Sequence, residues 1–321
     1  MNRRQLIKTI AAMAGISACA RFDSGPMTIA AHTWVGYEPM FMARNEGWLE
    51  DQTARLYQTQ NATESLQALA EGKVHGAALT LDEVLQARQR GQKLTAVMIF
   101  NISAGADMLV VRPQIASLSD LRGKRLAYEQ SSVGALLLAE ILNKAGLARS
   151  DLTLVPLGVD KQVTAWREKA FDAAITYEPV ASELLDLGAR KLFDSRQIPN
   201  TIVDVLVIRS DLASEYAEAL RHLQRAHFRA LDHLARNPHD AAYRMAGHLG
   251  LPAGDVLSAF KGLVLPDAPA NQRLLAGKEP SLLLTAKRLS AVMVASGLLQ
   301  QPDTLHELVN ADFIPGDLLE Q

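Results

Sequence analysis

The sequence predicts an α/β protein of two lobes, each a mainly parallel sheet flanked by helices, with two crossing strands between them. Two observations carry this. A β-α-β-α-β order of apolar runs and capped helices occurs twice, the pattern of a parallel sheet covered by helices. Two apolar, β-branched runs, residues 107–112 (DMLVVR) and 203–209 (VDVLVIR), are alike in character and lie about one domain apart, as paired crossings between lobes would.

At 321 residues the chain is long enough for two ordinary domains. Its 48% hydrophobic and 21% charged residues describe a globular protein that can bury a sizeable core. A formal net charge of −2, with no long basic run, argues against nucleic acid as the main partner. No apolar stretch approaches the roughly 20 residues that span a bilayer.

The first 19 residues form a separate object. Arg3, Arg4 and Lys8 precede a short apolar region and then Cys19, the pattern of an export signal. Cys19 is the only cysteine, so a disulfide is not its purpose. Ile16-Ser17-Ala18-Cys19 resembles a bacterial lipobox, and residues 2–8 a loose twin-arginine signal. The expected organisation is a signal at 1–19, a tether at 20–26, the first lobe at 27–106 and 207–321, and the second at 107–206.

The first series opens with a strand at 28–31 and the loop His32-Thr33-Trp34-Val35-Gly36-Tyr37-Glu38-Pro39. Pro39 starts a helix and Gly47 closes it. A strand end running into a helix start is where α/β proteins place ligands. Trp34 and Tyr37 therefore either cap the sheet or face a ligand. A strand at 55–58 follows. Asn61 with Glu64 forms a capping box that starts the next helix. A strand at 76–80, a helix capped by Asp82 and a strand at 94–100 complete the series.

The second series has strands at 125–128, 153–156 and 173–176. Its helices begin at Ser131 or Ser132 and at Asp160. Tyr177-Glu178-Pro179 repeats the opening device of aromatic, glutamate and proline, and residues 189–193 read as an edge strand. Beyond Asp211 everything reads as helix.

Catalytic signatures are missing. The eight histidines have no H-E-x-x-H spacing, and there is no G-x-S-x-G elbow or phosphate-loop lysine. No enzyme, cofactor or metal is expected.

Three sets of residues carry a resemblance to a known family. They are Trp34-Val35-Gly36-Tyr37-Glu38-Pro39 with Glu46-Gly47-Trp48-Leu49; Ser117-Leu118-Ser119-Asp120-Leu121-Arg122-Gly123-Lys124; and Phe171-Asp172-Ala173-Ala174-Ile175 followed by Tyr177-Glu178-Pro179. In these the chain resembles the type II periplasmic solute-binding proteins of ABC importers, within the nitrate/sulfonate/taurine and thiamine-precursor group. Members of this fold that make a thiamine pyrimidine use a cysteine-rich stretch, which this chain lacks.

The resemblance implies a lipid-anchored, exported monomer that takes a small polar solute into a cleft and delivers it to a permease with a cytoplasmic ATPase. Hinges would lie near residues 105–108 and 204–206. Ligand contacts would come from the loops after the strands: Trp34, Gly36, Tyr37, Asn61, Thr80, Asp82 and Asn101 in the first lobe, and Ser131, Ser132, Gly134, Tyr177 and Glu178 in the second. The serines serve equally as helix caps or as an anion site. The cleft loops also carry Glu38, Asp107 and Asp204 but few basic residues: either these carboxylates pair with backbone or with arginines elsewhere, or one faces the ligand and an amine or aminopyrimidine fits better than a bare anion. A pyrimidine binder, and a sensing lipoprotein on the same fold, are the alternative readings.

Overall fold

In the computed structural model, which describes residues 25–130 and 133–319, the first series folds as β1 (Met27–His32), α1 (Glu38–Asn45), β2 (Ala54–Thr59), α2 (Ala62–Ala70), β3 (Gly76–Thr80), α3 (Leu81–Gln89) and β4 (Leu94–Ser103). The signal segment with Cys19, and Ser131 and Ser132, lie outside the described residues. The capping box read at Asn61 forms: the Asn61 side chain accepts from the Glu64 amide at 3.0 Å, and Glu64 accepts from the Gln60 amide at 2.7 Å. Two orphan donors at the start of α2 are thereby satisfied.

The second series gives β5 (Met108–Val111), β6 (Arg125–Tyr128), α4 (Val133–Ala145), β7 (Thr153–Pro156), α5 (Gln162–Arg167), β8 (Ala173–Thr176), α6 (Val180–Asp186) and β9 (Arg190–Asp194). The chain returns through β10 (Val203–Arg209) to the helices α7 (Ala217–Arg236), α8 (Pro238–Leu249) and α9 (Ala253–Ala259), the short β11 (Leu263–Val264), and α10 (Ala268–Leu275) and α11 (Ser281–Ala295). Along α7 the buried Leu220, Leu223, Ala226, His227, Ala230 and Leu234 recur at helical spacing, so one face packs and the other stays wet.

These strands form two mixed sheets, ordered β11-β4-β10-β3-β1-β2 and β7-β6-β8-β5-β9. The β1–β2, β1–β3, β6–β7 and β6–β8 pairs are parallel. The strand arriving from the other sheet inserts antiparallel in each: β10 between β3 and β4, and β5 between β8 and β9. Both inserted strands are apolar almost throughout and buried on both faces, which explains their likeness in sequence.

Two expectations change. The sequence expectation places residues 203–206 in the second lobe with a hinge at 204–206, but Asp204, Val205 and Leu206 pair with Thr80, Leu79 and Ala78 in the first sheet. An apolar run satisfies its backbone best between two strands, so the return crossing falls earlier, at residues 195–202. It adjoins the outward crossing at 104–107. Ser103 and Ser195 share a hydroxyl hydrogen bond of 2.7 Å, and the Gly105 amide donates to Ser195 at 2.6 Å. The stretch after Asp211 is also not wholly helical. β11 pairs with β4, and the extended tail beyond α11 bridges Val309 to Ala96, covering the β4 side of the first sheet.

Candidate functional site

The carboxyl ends of β1, β3 and β8 meet the starts of α2, α3 and α4 between the two sheets. Because β10 runs antiparallel beside β3, its amino end comes to the same edge, with Asp204 opposite Thr80. Around this junction lies a narrow cavity of about 20 Å³, lined by His32, Trp34, Ala62, Thr80, Glu83, Asp107, Val133, Tyr177 and Asp204. First-sheet elements supply Trp34, Thr80, Glu83 and Asp204; second-sheet elements supply Val133 and Tyr177; Asp107 stands at the crossing.

The walls are aromatic. Trp34 and Tyr177 come from opposite sheets and meet edge to face, with centroids 5.2 Å apart and planes at 82°. His32 tilts against Tyr177 at 6.1 Å and meets Tyr37 edge-on at 5.5 Å. The floor is acidic. The Thr80 amide donates to Glu83 at 2.8 Å, and the Ser103 hydroxyl accepts from the Asp107 amide at 3.3 Å. Tyr37, wholly buried behind the cavity, donates its hydroxyl proton to Asp204 at 2.5 Å.

No lysine or arginine is among the described lining residues. Burial without a cationic partner penalises the ionised carboxylate. Burial pushes Asp204 up to about 8; the Tyr37 hydrogen bond opposes this and the Asp107 and Asp82 charges add to it. Burial pushes Asp107 to about 7 against the pull of Ser103, and it raises both Asp82 and Glu83. The same burial holds His32 down at about 4, so its ring is neutral at physiological pH.

Of the site residues read from sequence, Trp34, Thr80 and Tyr177 line the cavity. Gly36 and Tyr37 lie behind it: a Cβ on Gly36 would stand 2.0 Å from Asn101 Nδ2 and 2.6 Å from Trp34 Nε1. Glycine is demanded there by a close backbone approach to Asn101, which is itself fully buried within β4 rather than in a loop after it. Asn61 caps α2 and reaches Asp160 of the second series at 3.4 Å. Asp82 is buried beside the lining residue Glu83. At Gly134 a Cβ would fall 2.7 Å from the Glu129 carbonyl oxygen.

Glu178 turns away from the cavity and caps its own helix, accepting from the Ser182 amide at 3.1 Å and hydroxyl at 3.0 Å. Glu38 is likewise spent elsewhere, 2.6 Å from His248 Nδ1. Ser131 and Ser132 lie outside the described residues. Sequence reasoning missed Glu83 altogether. Its signal was the Thr80-x-x-Glu83 capping box, which reads as a helix start rather than a site.

Contact across the junction is direct. Glu129, just after β6, accepts from the Thr63 hydroxyl at 2.9 Å and the Thr63 amide at 3.3 Å, at the start of α2. Among the described residues no group of three or more His, Cys, Asp or Glu has the geometry to hold a metal ion.

Residues 34–241 match the family model described as NMT1/THI5 like. The chain belongs to the NMT1/THI5-like family. A taurine-binding periplasmic protein of Escherichia coli K12 is 25% identical over 206 residues, which span 61% of this chain and 64% of that relative's length. Among solved structures, the alkanesulfonate-binding protein SsuA of Xanthomonas axonopodis pv. citri, bound to MOPS, superposes with a TM-score of 0.70 at 19% identity, covering 86% of this chain and 94% of that one. The desulfurization enzyme DSZB superposes with a TM-score of 0.63 at 18% identity, covering 90% and 97%. The fold of this NMT1/THI5-like chain is thus the two-lobed periplasmic-binding-protein fold expected from its sequence, an architecture that also hosts an enzyme.

Proposed function

We propose that this protein is the solute-binding component of an ABC importer, enclosing a small polar solute between its two lobes and delivering it to a permease. The observation that carries the reading is the cavity itself: Trp34 and Thr80 from one sheet face Tyr177 from the other. A site split between two lobes joined at two short crossings is suited to capture by hinge closure. The Thr63–Glu129 hydrogen bonds then act as a latch of the closed form. The cavity has only about 20 Å³ of free volume, room for about one water molecule, so a solute enters as the lobes part. The name of the taurine-binding relative supports the solute-binding reading.

The test is a thermal-shift panel of taurine, alkanesulfonates, nitrate and aminopyrimidines. A ligand at 100 times its dissociation constant adds about 2.7 kcal/mol to stability. A clear rise in melting temperature with at least one compound is expected; no rise with any of them overturns the reading.

We also propose that the chain is exported and tethered by a lipid at Cys19. Cys19→Ala is expected to move the protein from the membrane to the soluble fraction. Unchanged membrane association would refute the anchor.

A further inference from the structure

The cavity carries a charge pattern that the binding-protein reading alone does not explain. Three carboxyl groups, of Glu83, Asp107 and Asp204, come to it from three different elements, and no lysine or arginine joins them among the described lining residues. Asp107 Oδ2 is buried with no hydrogen-bond partner among the described residues. A second observation is independent of the acids. His32, 6% exposed, also lines the cavity, and its Nδ1 has no partner among the described residues. Buried polar atoms of this kind are rarely left unsatisfied unless something else completes them. A sulfonate or nitrate placed here would set an anion against three carboxyls with no lining cation to offset it. A nitrogen cation instead favours the ionised form of the acids, and the Trp34 and Tyr177 rings offer it aromatic walls. Trp34 Nε1 and Thr80 Oγ1, without a hydrogen-bond partner among the described residues, are left to an acceptor on the same molecule.

We propose that the solute carries a protonated nitrogen, on a short or flat body, and that Glu83, Asp107 and Asp204 form the subsite that selects it. His32, neutral in this setting, supplies one further polar contact, and the acids, which burial keeps largely protonated in the absence of a cation, supply the charge once the cation favours their ionised form. The inference rests on the binding-protein reading and narrows it: an anionic group on the solute is tolerated only where the same molecule brings the cation.

Isothermal titration of the full chain with taurine, ethanesulfonate, ethanolamine and benzamidine separates the possibilities. Taurine and ethanesulfonate differ only in the amine. Taurine or at least one of the two cations is expected to bind, and ethanesulfonate to bind at least tenfold more weakly than taurine or not at all. Asp107→Asn and Glu83→Gln are each expected to weaken binding of the cation at least tenfold. Asp204→Asn, which can still accept the Tyr37 hydrogen bond, is the third variant should either of these melt early. Ethanesulfonate binding as tightly as taurine, or folded variants binding the cation unchanged, would overturn the cation subsite while leaving the binding-protein reading in place. If none of the four binds, and the wider panel of sulfonates, nitrate and pyrimidines fails as well, both readings fall.

Discussion

Tyr37 and Asp204 are 167 positions apart in the chain and 2.5 Å apart in the fold. One follows β1 and the other starts the strand that returns from the second sheet. Their hydrogen bond ties the aromatic loop at residues 34–37 to the only cavity-lining carboxyl carried by β10. Tyr37→Phe removes the donor and keeps the ring packed on Phe100, 5.0 Å away. It is expected to cost about 1–3 kcal/mol, the penalty of leaving a buried acceptor unsatisfied. Urea unfolding checks this; a loss within a few tenths of a kcal/mol would mean that the bond contributes no net stability.

Gly36→Ala places a methyl carbon 2.0 Å from Asn101 Nδ2, closer than any real contact. The fully buried Asn101 side chain or the loop must shift, and overpacking of this kind typically costs about 1–3 kcal/mol. Because the same methyl would stand 2.6 Å from Trp34 Nε1, solute affinity is expected to fall along with stability. Paired melting and titration measurements test this, and an affinity loss without a stability loss would contradict it.

Thr63→Val keeps the shape of the side chain and deletes the hydroxyl hydrogen bond to Glu129 across the junction, leaving the amide one. A bond of this kind contributes about 0.5–1.5 kcal/mol. If it holds the closed form, the variant should release solute roughly two- to tenfold faster with little change in association rate. Stopped-flow kinetics reads both rates, and an unchanged release rate would rule out the latch.

The buried acids make stability depend on pH in a defined direction. Asp107 at about 7 and Asp204 at about 8 stand well above the ordinary value of about 4 for an unfolded carboxyl. The folded state therefore holds these protons more tightly than the unfolded state. The stability they contribute is full at low pH and is lost as pH rises from about 4 to about 8. His32 and His227, held neutral at about 4 and about 3, act in the opposite sense below about pH 6.5. Above that value the acids govern the slope. Asp204→Asn is expected to raise the melting temperature of the ligand-free protein at about pH 8 and to flatten its decline between about pH 6.5 and 8.5. Melting curves that run parallel to those of the unsubstituted protein would refute the assignment.

Much of the architecture was legible because it is written locally. The Asn61–Glu64 box, the stop at Gly47 and the period of α7 all rest on neighbours within a few residues. The likeness of residues 107–112 and 203–209 correctly marked both inserted strands. Their placement was less accurate, since strand pairing is decided by partners far away in the chain: residues 203–206 joined the first sheet because β3 and β4 leave a gap that an apolar run fills.

The candidate site was legible only in part. By itself the sequence determined that aromatic and acidic residues gather at strand ends, and it picked out Trp34, Thr80 and Tyr177. Which acids face the cavity was decided by tertiary structure alone. Glu38 is drawn to His248, 210 positions away, and Glu178 is turned back onto Ser182. Glu83 lines the cavity while its neighbour Asp82 does not, because adjacent positions on a helix point about 100° apart. Asp204 reaches the site only because β10 runs antiparallel to β3, which brings the start of one strand to the end of the other. Spacing along the chain governs helices and caps, whereas the direction of a carboxyl depends on long-range packing.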